Sequence, residues 1–222
     1  MKKYFIALGL FAFLSCKKVE AVPSGLNFYF ENPQPINDSE LSKIPYKFKG
    51  LFMNQDSVYI NVQENLILKE YYDKFRFHKK DFDSIKLNFD KVGNKYISKF
   101  NRDVFDFKYF KDSVEFSNKQ IDTFFIFSNT QKAKRFNGQL VLNYKDSIFW
   151  KINAIRLVNN VLKIKYIYSE EDLKRIDSLT KVKSTMIDSS SFIVKSSRNE
   201  FKSILNLKKL GEELEYKKVR NN

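Results

Sequence analysis

Few residues in this chain have the types and spacing that chemistry needs. His78 is the only histidine, so a zinc or non-heme iron site would lack an imidazole pair. Its alternation with Phe75 and Phe77 puts it on the Arg76 face of a strand, beside Lys79 and Lys80. That setting, with no nucleophile placed beside it, predicts a solvated strand residue rather than a general base. Asp81 and Asp83 start like a calcium loop, but the central glycine is missing. Val92 also holds the position where a bidentate Glu is required. Glu170-Glu171-Asp172 and Glu212-Glu213 read as a helix start and a solvated turn, and no spacing selects a carboxylate pair for glycoside hydrolysis. Ser189-Ser190-Ser191 lacks a nucleophile elbow and reads as a loop. Glycines occur at 9, 25, 50, 93, 138 and 211, too far apart for a dinucleotide fingerprint or a phosphate loop. These patterns predict no catalytic residue, no metal ligand and no cofactor.

One reactive side chain remains. Cys16 is the only cysteine, which excludes a disulfide framework and a multi-thiolate metal site. Lys2 and Lys3 precede an uncharged, mostly apolar stretch from Tyr4 to Leu14; Ser15 and Cys16 follow, and charge resumes at Lys17 and Lys18. A spanning helix needs about 20 apolar residues, so residues 1–15 predict a signal peptide and not a membrane span. The order resembles a bacterial lipoprotein signal with Phe13-Leu14-Ser15-Cys16 as the lipobox. Phe13 departs from the Leu usual at its place. The resemblance implies cleavage between Ser15 and Cys16 and lipidation of Cys16. It implies several acyl chains, because one chain, at about 0.8 kcal/mol per buried CH₂, anchors only marginally. Lys17 in place of Asp implies the outer membrane, with the protein lipid-anchored and facing the periplasm or the cell surface. The alternative is an ordinary secretory peptide with a coincidental cysteine.

Lysine and arginine number 40 against 26 acidic residues in 222. Without residues 1–15 the side-chain charge is 38 − 26 = +12 over 207 residues. Such an excess asks for nucleic acid, lipopolysaccharide or phospholipid head groups. Nucleic-acid stacking needs aromatics and cations on one surface. Here a period of two puts Phe75 and Phe77 on one face and Arg76 on the other. The expected partners are the membrane, through Cys16, and an envelope protein or an anionic lipid or glycan surface, without nucleic acid. A plainer reading has lysine covering wet faces in a chain also rich in Asn, Ile and Phe. Oligomeric state is not set by these features.

The elements follow from periodicity. All four prolines, 23, 33, 35 and 45, lie in residues 16–45. That segment reads as the lipidated N-terminus and a tether, extended at Asn32-Pro33-Gln34-Pro35, with a strand at Leu26–Phe30. Residues 46–168 read as an antiparallel β domain with one packed and one wet face. Its apolar rows are Phe75 and Phe77; Ile85, Leu87 and Phe89; Ile121, Thr123, Phe125 and Phe127. Leu140, Leu142 and Tyr144 continue the pattern, as do Ile148, Trp150 and Ile152, and Leu162, Ile164, Tyr166 and Tyr168. Asp-Ser followed by Val or Ile recurs at 56, 83, 112 and 146, a turn signal opening a strand each time, as duplicated hairpins would produce. Residues 169–222 read as helix-strand-helix-strand packed on the same domain. Ser169 caps the first helix, whose stripe is Leu173, Ile176, Leu179 and Val182, with Lys181 and Lys183 near its end. Ser191–Lys195 reads as a strand. Ser197 and Glu200 form a capping box for the second helix, which Gly211 ends, and residues 214–219 read as a last strand.

The expected fold is α+β and mainly antiparallel. A curved sheet or small β-barrel of about eight or more strands carries two C-terminal helices. The lipoprotein signal, Asn32-Pro33-Gln34-Pro35, Ile44-Pro45 before Phe48-Lys49-Gly50, and Phe192-Ile193-Val194 before Ser197–Lys202 resemble uncharacterised flavobacterial-type envelope lipoproteins. That resemblance carries no activity across. Three functional readings remain: a non-enzymatic binding or structural module of the envelope, a lipocalin-like carrier of an apolar ligand, or a carboxylate-dependent hydrolase.

Overall fold

The computed structural model describes residues 25–179, 182 and 184–219. The signal segment with Ser15 and Cys16, and also Pro23, Lys181 and Lys183, lie outside the described residues. In chain order the elements are β1 (Asn27–Tyr29), β2 (Gly50–Met53), β3 (Tyr59–Val62), β4 (Leu66–His78), α1 (Lys79–Ile85), β5 (Phe89–Val92), β6 (Lys95–Ser98) and β7 (Val104–Tyr109). Next come β8 (Ser113–Ile126), β9 (Gln131–Phe136), β10 (Gln139–Asp146), β11 (Phe149–Val158) and β12 (Val161–Tyr166). The C-terminal part holds α2 (Glu170–Asp177), β13 (Ser184–Asp188), β14 (Ser191–Val194), α3 (Arg198–Leu205) and β15 (Glu212–Lys218).

The architecture is mainly antiparallel β, as expected. Twelve strands hydrogen-bond in the order β5-β6-β7-β8-β4-β3-β2-β15-β12-β11-β10-β9, and a second sheet has the order β1-β14-β13. The large sheet is open, so the expected small barrel does not form. Closing a barrel needs a free ladder at each end, and the outer edge of β9 is taken. Glu40 bridges Lys134, and the Leu41 amide donates to the Ala133 carbonyl at 2.8 Å.

Contacts divide the described chain into two units, residues 70–121 and the remainder. In the 70–121 unit, β6, β7 and β8 pair so that Phe107 lies opposite Phe116, and Lys95 opposite Asp106. Aromatic rings therefore collect on one face and charges on the other, as the period of two requires. Tyr96, Phe107 and Phe116 stack at centroid spacings of 3.7 and 3.8 Å, each pair tilted by only 5°. Phe82 of α1 meets Phe107, Tyr109 and Phe116 edge-on. The opposite face is laced by Arg76–Glu115 and Lys95–Asp106 ion pairs. Residues 79–85 correct the strand expected from Ile85, Leu87 and Phe89. His78 caps a helix there, with Asp81 in its first turn, and Phe82 and Ile85 share a helical face three residues apart. The Asp83-Ser84-Ile85 copy of the repeat thus lies in a helix. The copies at 56 and 146 turn the chain, with Ser57 and Ser147 at positive φ, while Ser113 opens β8.

In the other unit the sheet buries both faces over β9–β11. Register aligns Leu140, Ile155, Ile164 and Leu214 in one row, and all four are buried. On the reverse side Val141, Ala154 and Phe136 meet Phe28, Phe30, Phe192, Ile176, Phe201 and Ile204 in one cluster. The two C-terminal helices thus pack on the sheet through the stripes expected for them. Both start with complete capping boxes, Ser169 with Asp172 and Ser197 with Glu200. Leu179 and Val182 lie beyond α2, and Gly211 lies past α3 in a following loop, so both helices are shorter than expected.

The 32–35 segment is not an extended tether. Gln34 is buried, its amide donates to Asn143 Oδ1 at 2.6 Å, and its carbonyl accepts from Asn143 Nδ2 at 2.9 Å. Lys134 Nζ donates to the carbonyls of Pro33 and Pro35. Burial holds the Lys134 ammonium below its ordinary pKa, against the pull of Glu40 and Asp38. Pro35 follows a cis peptide bond.

Candidate functional site

Register pairs Tyr144 at the end of β10 with Lys151 of β11, and Leu142 with Asn153. The chain leaving β12 runs past them through Ile167 and Tyr168. The N-terminal segment crosses at this point: the Leu26 amide donates to the Tyr168 carbonyl at 2.6 Å. A Cβ on Gly25 would collide with that same oxygen, so only glycine permits the approach. These strands, with Phe28 and Phe124, wall a cleft of about 570 Å³. That is a usual volume for a small-molecule site, and the mix of apolar walls with a few polar groups is also usual.

Tyr144 meets Phe124 and Phe125 edge-on at 6.3 and 6.0 Å. The residue keeps some exposure along the cleft wall, while its hydroxyl oxygen is buried and has no hydrogen-bond partner among the described residues. Burial, and secondarily the nearby Tyr166, push this phenol well above its ordinary pKa. A buried hydroxyl left unpaired costs about 1–3 kcal/mol.

Lys151, which also lines the cleft, belongs to a compact trio. Tyr29 O–H donates to Asp146 Oδ2 at 2.9 Å, and Lys151 Nζ lies 3.0 Å from the same oxygen. Lys151 and then Tyr29 hold the Asp146 carboxyl below its usual range. Burial and the Asp146 bond raise the Tyr29 phenol. Burial disfavours the Lys151 charge, but its bonds to Asp146 and Tyr29 prevail and hold its pKa up. Each member is therefore locked in its ordinary charge state, which suits positioning rather than proton transfer.

The same direction recurs at other shifted carboxyls. Glu64, Glu171 and Glu215 are lowered chiefly by Lys49, Lys174 and Lys163, and Asp188 by the Ser190 amide. A glycosidase acid needs the opposite shift.

The residues singled out by their chemistry are dispersed. His78 is exposed at the end of β4, and its Nδ1 accepts from the Lys80 amide at 3.2 Å as the cap of α1. Asp81 and Asp83 lie on α1, where Asp83 pairs with Lys86. Ser189 and Ser190 form the turn between β13 and β14, with Ser190 donating to Asp188. Glu212 and Glu213 belong to β15 and not to a solvated turn: Glu212 accepts from Tyr168 O–H at 2.7 Å, and Glu213 pairs with Arg156. Tyr144 stood out in the sequence only as an inward-facing strand residue. Nothing local marked Gly25, Phe28 or Phe124 as its neighbours, because they come from two other segments, residues 25–28 and the strand that holds Phe124.

No described helix is long and apolar enough to cross a membrane. No protein-family model matches the chain, and neither a curated protein nor a solved structure matches it.

Proposed function

We propose that this protein is a non-enzymatic binding module of the bacterial envelope, anchored to the outer membrane through lipidated Cys16, and that its ring-lined cleft is the ligand site. The observation that carries the reading is the buried, unpartnered Tyr144 hydroxyl beside a cleft walled by Phe28, Phe124, Ile152 and Tyr168. Such a site suits a small, mostly apolar molecule with one polar atom. Gly25 stands 25 − 16 = 9 residues after Cys16, so the chain allows at most about 32 Å between anchor and cleft rim. An interior lipocalin-like cavity is less well supported, because the row Leu140, Ile155, Ile164 and Leu214 is filled and buried. A hydrolase is opposed by the lowered carboxyls.

Two measurements test the reading. Radioactive fatty acid should label the mature protein and leave Cys16→Ser unlabelled; full labelling of the variant sinks the anchor. N-phenyl-1-naphthylamine, a neutral fluorescent probe, should bind the wild type. Ile152→Trp, which fills the cleft, should lose about tenfold or more in affinity. Equal binding by that variant would remove the cleft from the proposal.

A further inference from the structure

A second recess, about 530 Å³, lies between the loop after α3 and strands β11, β12 and β15. It carries three cations, Arg156, Lys165 and Lys209, against one carboxylate, Glu213. Arg156 Nη2 lies 2.6 Å from Glu213 Oε2, while Lys165 Nζ is 3.7 Å from Oε1. Lys209 makes no ion pair with a described residue. The strand cation opposite Arg156 is matched differently: Lys163 has its own carboxylate, Glu215. In the recess one carboxylate serves two cations, and Lys165 does so with a side chain only 15% exposed. The carbonyls ending α3 supply about half a negative charge, which does not balance the excess.

The rim is held in place before any ligand arrives. Leu210 is buried, and the Gly211 amide donates to Asp172 Oδ1 at 2.7 Å. Gly211 sits at φ 67, where a Cβ would strike the Tyr166 carbonyl. Lys209 itself adopts φ 59, a left-handed conformation uncommon for a long side chain. Arg156 and Lys165 stand on adjacent paired strands. A fixed guanidinium fork beside two ammonium groups is the arrangement that recognises phosphate oxygens.

We infer that this recess binds a phosphate group, presented by a lipid head group or by a soluble phosphate ester, with Arg156, Lys165 and Lys209 as its ligands and Glu213 as the internal competitor. The inference stands apart from the ring-lined cleft and from Cys16.

The test uses the full chain. Inorganic phosphate is titrated by calorimetry, and vesicles of phosphatidylglycerol or phosphatidylcholine are tested by co-sedimentation. Lys209→Gln and Lys165→Gln should each weaken phosphate binding about tenfold, the loss of one charge-assisted bond. Glu213→Gln should tighten it by removing the competitor. Should Lys165→Gln fail to fold, the exposed Lys209→Gln decides. Phosphate binding with Lys209-dependent capture on phosphatidylglycerol vesicles supports the inference and assigns the phosphate to a lipid. Lys209-dependent phosphate binding without vesicle capture supports it and assigns a soluble ester. A wild type that binds neither, or Lys209→Gln and Glu213→Gln variants that bind like the wild type, would overturn it.

Discussion

Residues 70–121 and the rest of the described chain bury a sheet face with different materials. In the larger unit, β9–β11 are covered on both faces, and Leu140, Val141, Ile155, Phe201 and Ile204 are all buried. In the smaller one, Val114 and Phe116 are the buried apolar residues among those described. Phe82, Phe89, Tyr96 and Phe107 stay partly exposed there and gain from edge-on and stacked contacts instead. Ring pairs add about 0.5–1.5 kcal/mol beyond area burial, whereas a fully buried large side chain contributes about 1.5–3 kcal/mol by transfer alone. The difference between the two units lies in side-chain cover. A unit of about fifty residues with a half-wet core should open more readily.

The largest test is a matched pair of truncations. Phe201→Ala removes a ring that meets Phe30 and Phe136 and should cost about 3–5 kcal/mol in urea unfolding. Phe107→Ala, at the centre of the ring stack, should cost about 1–3 kcal/mol. Native-state hydrogen exchange should show β6 and β7 amides opening before those of β10 and β11. Equal costs, or equal protection, would break the contrast.

Asn143→Leu sharpens it from the polar side. The substitution leaves the buried Gln34 amide and carbonyl unpaired and should cost about 1–3 kcal/mol, detectable as a lower urea midpoint at unchanged slope.

Alkaline titration separates the units by their phenols. The folded pKa of Tyr144 is raised by burial, so its protonated form is kept in the native state while the unfolded chain ionises near pH 10. Stability is full below that pH and falls as pH climbs toward the folded value. Tyr144→Phe should be neutral or slightly stabilising at pH 7 and should flatten the loss above pH 10. Tyr109, pushed up to about 12 chiefly by its bond with Tyr96, has the same sign in the smaller unit. Because Tyr109 is exposed, Tyr109→Phe should change the curve less. An unchanged alkaline limb for Tyr144→Phe would contradict the burial of its hydroxyl.

The smallest effect belongs to the charged face. A double-mutant cycle on Arg76 and Glu115, 2.7 Å apart with Arg76 about half exposed, should return about 0–1 kcal/mol and shrink in salt.

Much of the architecture was legible, for local reasons. The rows Leu140-Leu142 and Leu162-Ile164-Tyr166 read as strands because successive side chains alternate, and Ser169 and Ser197 read as caps because their partners stand three residues on. What failed was short or non-local. Residues 79–85 are too short for periodicity to separate a helix from a strand, and the His78 cap tipped the balance. Ser184–Asp188 lies in a serine-rich stretch without an apolar row, yet it pairs with β14. Ile121 and Thr123 are exposed while Phe125 is buried, so the face expected across that strand is not uniformly covered. Of the cleft, the apolar rows that hold Tyr144, Ile152, Tyr166 and Tyr168 could be foreseen, but not their meeting with Gly25 and Phe124.

By itself, then, the sequence determined the alternation of strands, the two capped helices, the separation of rings from cations, and the solitary placement of Cys16. Each depends on residues within a few positions of one another. Tertiary structure alone decided the parallel pairing of β1 with β14, the docking of Gln34 on Asn143 across 109 positions, and the open edge order. It also decided the meeting of Gly25, Phe124, Tyr144 and Tyr168 around one cleft. These depend on which distant segments find each other's unpaired backbone and unburied rings, and that competition is settled only when the whole chain packs.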